Sequence, residues 1–122
     1  MIYTSYFAKL RKIPKDITPI CIARKLPPKV DMLCCPALYP TSQMLYQYKS
    51  NDDYTEEDYI VDYNKYVLDL INPKSTTDYL LGMAKTEDIV LVCYEKSGSF
   101  CHRNLVSKWL NDNGIECKEW SE

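Results

Sequence analysis

The chain has 122 residues, 46% hydrophobic and 26% charged, with three glycines and no low-complexity run. That length fits one domain spanning 1–122 with its own core, and that composition argues against disorder. A net charge of −2 with scattered basic residues makes non-specific nucleic-acid binding unlikely, because such binding lives on phosphate neutralisation; a nucleotide-sized anion is not excluded.

Residues 1–7 read as a first strand, rich in β-branched and aromatic side chains. They do not resemble a secretory leader, and no stretch reaches the roughly twenty apolar residues of a membrane span. The expectation is a cytoplasmic protein with no membrane partner. Residues 8–14 turn back with a short helical piece, and Lys9, Arg11, Lys12 and Lys15 make a solvated basic face.

A second strand is expected over 17–23. Pro19 interrupts it and points to a strand edge or a late strand start. Residues 30–40 hold Cys34, Cys35, Pro36 and Pro40 and read as a short strand or a packed loop. Thr41 caps a helix over 43–49.

The clearest helix runs over 53–70, with Tyr59, Ile60, Tyr63, Tyr66, Val67, Leu70 and Ile71 at three- and four-residue steps. Glu56, Glu57 and Asp58 load its first turn with the charge the helix dipole favours. Pro73 stops it. Ser75 or Thr76 starts another, carrying Tyr79, Leu80, Met83 and Ala84.

Residues 88–93 read Asp-Ile-Val-Leu-Val-Cys, an apolar run suited to a central strand covered on both faces. The last helix spans 101–113, with Leu105, Val106, Trp109 and Leu110 inward. Asn113-Gly114 ends it, and 115–120 forms the final strand. Alternation of this kind predicts a three-layer α/β fold: a mostly parallel twisted sheet of four to five strands with helices on both faces.

The six cysteines sit in a chain long enough for its own core, several of them inside predicted strands, which argues against a disulfide framework. Cys21 and Cys117 read as small reduced hydrophobes. The spacing of Cys34-Cys35 makes no zinc motif.

Chemistry concentrates between Cys93 and Arg103, which join the end of the most buried strand to a helix start. In open α/β sheets that edge binds ligands, and a helix start offers free N–H groups. Cys101, beside His102 and Arg103, has reasons for a lowered thiol pKa and is a candidate nucleophile. Cys93 and Cys101 are candidates for a redox pair if their Cα atoms lie within about 7 Å. With His102 they form a possible three-ligand metal set, completed by Glu95, Cys34, Cys35 or water. His102 is the one histidine, suited to acid–base or hydrogen-bonding duty. Arg103 clamps an anion or pairs with Glu95, itself a candidate base. Lys96, Ser97, Gly98 and Ser99 read as an exposed turn.

The string Leu91-Val92-Cys93-Tyr94-Glu95-Lys96, then Cys101-His102-Arg103-Asn104-Leu105-Val106 and Trp109-Leu110, resembles the signature of the YeaO-like uncharacterised family (domain of unknown function 488). The likeness covers 88–118, and 2–26 through the opening Ile2-Tyr3-Thr4-Ser5-Tyr6-Phe7. It implies an α/β fold and a shared site of Cys93, Glu95, Cys101, His102 and Arg103, with Arg24 nearby. Many members carry Asp-x-Arg at the end of the second strand; here Arg24 stands for the arginine, while Ile22 occupies the acidic position.

Three functional readings follow. In the first, an enzyme or ligand-binding protein holds an anionic, nucleotide-like ligand with Arg24 and Arg103. Ser5 and Tyr6 line the same pocket, Cys101 and Cys93 supply thiols, and His102 or Glu95 moves a proton. In the second, 93–103 is a structural lock in a non-catalytic module whose eleven tyrosines bind a protein partner. The third is a cysteine-based redox or metal protein.

Overall fold

In the computed structural model, which describes residues 1–95 and 100–122, the apolar run over Asp88–Cys93 is a strand in which five of six side chains are buried. It is β4 of a sheet with β1 (Ile2–Tyr6), β2 (Ile17–Cys21), β3 (Leu33–Cys34) and β5 (Cys117–Glu119). The strand order is β3-β2-β4-β1-β5, and every neighbouring pair is parallel. The helices are α1 (Ser42–Ser50), α2 (Glu56–Tyr66), α3 (Pro73–Ala84) and α4 (His102–Asp112). The expectation over 96–99 lies outside the described residues.

Alternation along β4 divides the core. Ile89, Leu91 and Cys93 face a large cluster that takes Met44 of α1, Tyr59 and Tyr63 of α2, Leu80 of α3, and Val106 and Leu110 of α4. Val90 and Val92 face a smaller cluster with Ile17 and Trp120, closed by Phe7 and Leu10 of a 3-10 helix over Phe7–Lys12. Among the described residues the three-layer α/β arrangement thus has four α-helices on one face and the 3-10 helix over Phe7–Lys12 on the other.

The connections explain the layering. β1 leads to β2 past the 3-10 helix, while β3 leads to β4, and β4 to β5, past the α-helices in the opposite direction. Opposite directions along the sheet use opposite faces, as a single crossover hand requires. The chain therefore leaves the adjacent strands β2 and β4 in opposite directions and opens a crevice at their carboxyl ends.

Several expectations are corrected. β2 runs through Pro19 from Ile17 rather than starting after it. The carbonyl of Cys21 accepts from Cys35 on the β3 side, so Pro19, two residues earlier, turns its missing donor to that same side. Among the described residues β3 pairs with Ile20 and Cys21 and no strand pairs with Pro19 on that side. α2 ends at Tyr66, where Val67 leaves helical geometry (φ −124°, ψ −68°). The break buries Val67 and Leu68 and leaves Tyr66 49% and Leu70 74% exposed, off the predicted stripe. Pro73 does not stop a helix but opens α3 at its first position, where it forfeits no hydrogen bond; Asn72 caps it by accepting from the Ser75 N–H at 3.0 Å. On α3, Leu80 is buried but Tyr79 is exposed. Residues 30–40 hold both a two-residue strand and a 3-10 turn over Pro36–Leu38.

Candidate functional site

The crevice between the ends of β2 and β4 is a cavity of about 710 Å³. Ala23, Arg24 and Lys25 enter it directly after β2, and Tyr94 and Glu95 directly after β4. Cys101 and His102 come from the start of α4, and Lys49 from α1. Tyr48, Tyr59 and Phe100 form its aromatic wall, their rings packed pairwise with centroids 5.1–5.6 Å apart. Arg24 extends one guanidinium N–H towards the Pro40 carbonyl at 3.4 Å and is otherwise exposed.

Beneath this wall lies a sulfur–imidazole cluster. Cys93 ends β4 and Cys101 precedes α4, and the two are joined as a disulfide with their Cα atoms 7.5 Å apart. That spacing exceeds the roughly 4.4–6.8 Å usual for a disulfide. His102 Nε2 lies 2.7 Å from the Ile22 carbonyl oxygen. A carbonyl only accepts, so Nε2 carries the proton and Nδ1 presents its lone pair 3.9 Å from Cys101 Sγ. Burial pushes the His102 pKa down to about 4, with the Arg103 charge adding to the effect. The imidazole is therefore neutral at physiological pH, fitted to accept a hydrogen bond or ligate rather than to carry charge.

Arg103 is 1% exposed. Its Nε and one terminal nitrogen donate to the two oxygens of Glu119, each at 3.1 Å. The other terminal nitrogen donates to the Glu95 carbonyl and contacts Cys93 Sγ at 3.2 Å. The guanidinium lies 5.5 Å above the Tyr6 ring. It binds together the end of β4, the first turn of α4 and β5.

The model of the DUF488-N3a family, the "Active DUF488-N3 subclade", matches residues 2–114. The chain belongs to the DUF488-N3a family. The match covers the resemblance seen over 2–26, that over 88–118 as far as residue 114, and the middle of the chain between them. No curated protein and no solved structure matches it.

In this DUF488-N3a chain the residues singled out from sequence divide into two groups. Arg24, Glu95, Cys101 and His102 meet at the cavity; Cys93, Arg103, Ser5 and Tyr6 do not line it. Ser5 and Tyr6 are strand neighbours and point to opposite faces, so they share no pocket. Ser5 is buried, with no hydrogen-bond partner for its hydroxyl among the described residues. The expected Arg103–Glu95 pair is a contact to the Glu95 main chain; the carboxylate partner is Glu119. The rejection of a disulfide framework holds for Cys21, Cys34, Cys35 and Cys117, which are free; Cys93 and Cys101, the candidate pair, are joined, at a Cα spacing of 7.5 Å that is wider than the pairing is expected to need. Cys93 at the end of β4 and Cys101 before α4 bring those two sulfurs together despite a sequence separation of 8.

Sequence reasoning missed Glu119, Lys25, Lys49 and the cavity roles of Tyr48 and Phe100. Glu119 had a signal: it stands two residues after the buried Cys117, hence on the same face of the strand.

Proposed function

We propose that this DUF488-N3a protein is a small cytoplasmic enzyme or ligand-binding protein that takes an anionic, nucleotide-like ligand into the cavity between β2 and β4. The observation that carries the reading is the pairing of cations and aromatic rings around one space. Arg24, Lys25 and Lys49 border the cavity that Tyr48, Tyr59 and Phe100 wall. Cations suit a phosphate or carboxylate, and aromatic faces suit a base. The volume falls within the roughly 300–1,000 Å³ of small-molecule sites.

Arg24 takes the anion in this reading. Arg103 acts indirectly, tying the end of β4, which presents Glu95, to the start of α4, which presents Cys101 and His102. Cys101, reduced, is the thiol at the ligand. Glu95 is the group placed to exchange a proton with solvent. The family description, an active subclade, favours the enzyme over the passive binder.

Isothermal titration calorimetry with nucleoside mono-, di- and triphosphates, run on reduced and oxidised protein, tests this. Saturable binding of one phosphorylated nucleoside, weakened in Arg24→Ala without loss of stability, is expected. No binding by any of them in either redox state would sink it.

A second reading rests on Arg103. Its burial and three-way bonding suit a structural lock, and Tyr46, Tyr66 and Tyr79 are exposed as a protein-binding surface would require. The lock reading gains if His102→Ala lowers stability while no nucleotide binds and Arg24→Ala changes nothing.

A further inference from the structure

The sulfur–imidazole cluster supports a site of a different kind, argued apart from the nucleotide-like reading although Cys101 and His102 border the same cavity. We propose that Cys93, Cys101 and His102, with both cysteines reduced, bind a borderline-soft divalent cation of the zinc class, leaving one coordination position towards the cavity.

The donor atoms carry the argument. One atom from each of the three residues lies within 4.8 Å of the others, and all three residues are buried. Two thiolates and an imidazole are the ligands zinc prefers, and three protein ligands with a fourth position for water or substrate is the pattern of catalytic rather than structural sites. His102 is already oriented as a metal-bound histidine is. Its Nε2–H donates to the Ile22 carbonyl, which fixes the ring and leaves Nδ1 as the donor beside Cys101 Sγ.

The backbone spacing agrees. Two thiolates on one tetrahedral ion, at bonds of about 2.3 Å, stand farther apart than two bonded sulfurs. Their Cα atoms therefore sit wider than a disulfide needs, as the 7.5 Å separation does. Charge also balances. Two thiolates cancel a divalent cation, and Arg103 is already matched by Glu119, so a buried loaded site carries no net charge. Cys101 and His102 both line the cavity, so a ligand entering it meets the fourth position.

Loading requires the disulfide to open. A phosphine reductant supplies the two electrons and leaves as the phosphine oxide, taking its oxygen from one water whose two protons complete the two thiols. The cation then forms two metal–sulfur bonds and one metal–nitrogen bond while the two thiol protons pass to solvent. The ion itself is neither oxidised nor reduced.

The test is titration of the full chain, reduced with a phosphine under anaerobic conditions, with Co²⁺ followed by Zn²⁺. One Co²⁺ per chain with a thiolate-to-cobalt charge-transfer band, bleached by one equivalent of Zn²⁺, is expected. Cys93→Ser, Cys101→Ser and His102→Ala each lose or shift the band, and Cys117→Ser retains it. Because buried substitutions can prevent folding, a second readout uses the unaltered chain: Zn²⁺ must slow alkylation of Cys93 and Cys101, mapped by peptide mass spectrometry, while Cys34 reacts unchanged. Absence of the band in the reduced protein, its survival in Cys101→Ser, or equal alkylation rates with and without Zn²⁺ would each overturn the site.

Discussion

Arg103 and Glu119 face each other as a two-pronged pair, the guanidinium sealed from solvent and the carboxylate 34% exposed. The register Thr4↔Glu119 places that carboxylate, and the Thr4 hydroxyl donates to it at 2.7 Å. Removing the carboxylate strands a buried cation. Glu119→Ala is expected to cost about 3 kcal/mol, the low end for a broken buried pair because Glu119 keeps some solvent. Glu119→Gln costs less, since the amide oxygen still accepts one bond. Urea unfolding of the three proteins measures both, and a loss under about 0.5 kcal/mol in Glu119→Ala would refute the lock.

This pair also marks where sequence reading stops. The ends of β4 and the start of α4 were legible because an unbroken apolar run and a Cys-His-Arg helix opening are local signals. The Arg103–Glu119 contact depends on β5 pairing with β1, a register that no local pattern states. Pro73 was misread for a related reason: a proline stops one helix or opens the next, and only Asn72 turning its side chain onto Ser75 decides between them. The cavity wall was hidden likewise, since Tyr59 looked like core stripe and Phe100 like loop.

Tyr63 ties α2 to the turn beyond β3. Its hydroxyl donates to the Leu38 carbonyl at 2.6 Å, and both residues are buried. Tyr63→Phe keeps the ring and leaves the carbonyl without that donor, so the expected loss is about 1–2 kcal/mol. Paired denaturation curves give the value. An unchanged midpoint would mean that the Leu38 carbonyl finds another donor at no cost.

Stability should fall on the alkaline side. Burial pushes the Cys21 thiol up to about 11 and raises Cys35 and Tyr63 above their ordinary values. In the unfolded chain these groups lose protons near pH 9–10. The folded chain then holds protons the unfolded chain has released, so the unfolding free energy declines as pH rises. Their contribution is whole below about pH 9 and for Cys21 is spent once pH passes about 11. A melting temperature that drops steadily from pH 8.5 to 10.5 is expected; a flat profile would contradict the burial of these groups.

Arg24 separates binding from folding, which Arg103 cannot do. Arg103→Ala disturbs the pair with Glu119, so any lost affinity has two causes. Arg24 is exposed and, among the described residues, makes one long contact to Pro40, so Arg24→Ala should shift stability by no more than about 0.5 kcal/mol. A charge-assisted bond to a phosphate contributes about 1.5–3 kcal/mol, which sets the expected loss of nucleotide affinity at roughly ten- to a hundredfold. Because the cation is at the cavity rim, the difference should shrink as salt rises from low to physiological ionic strength. Calorimetry of both proteins at two salt concentrations checks the affinity and its screening together. Equal affinity in the two proteins would take the anion away from Arg24 and leave Lys25 and Lys49 as the cations to substitute next.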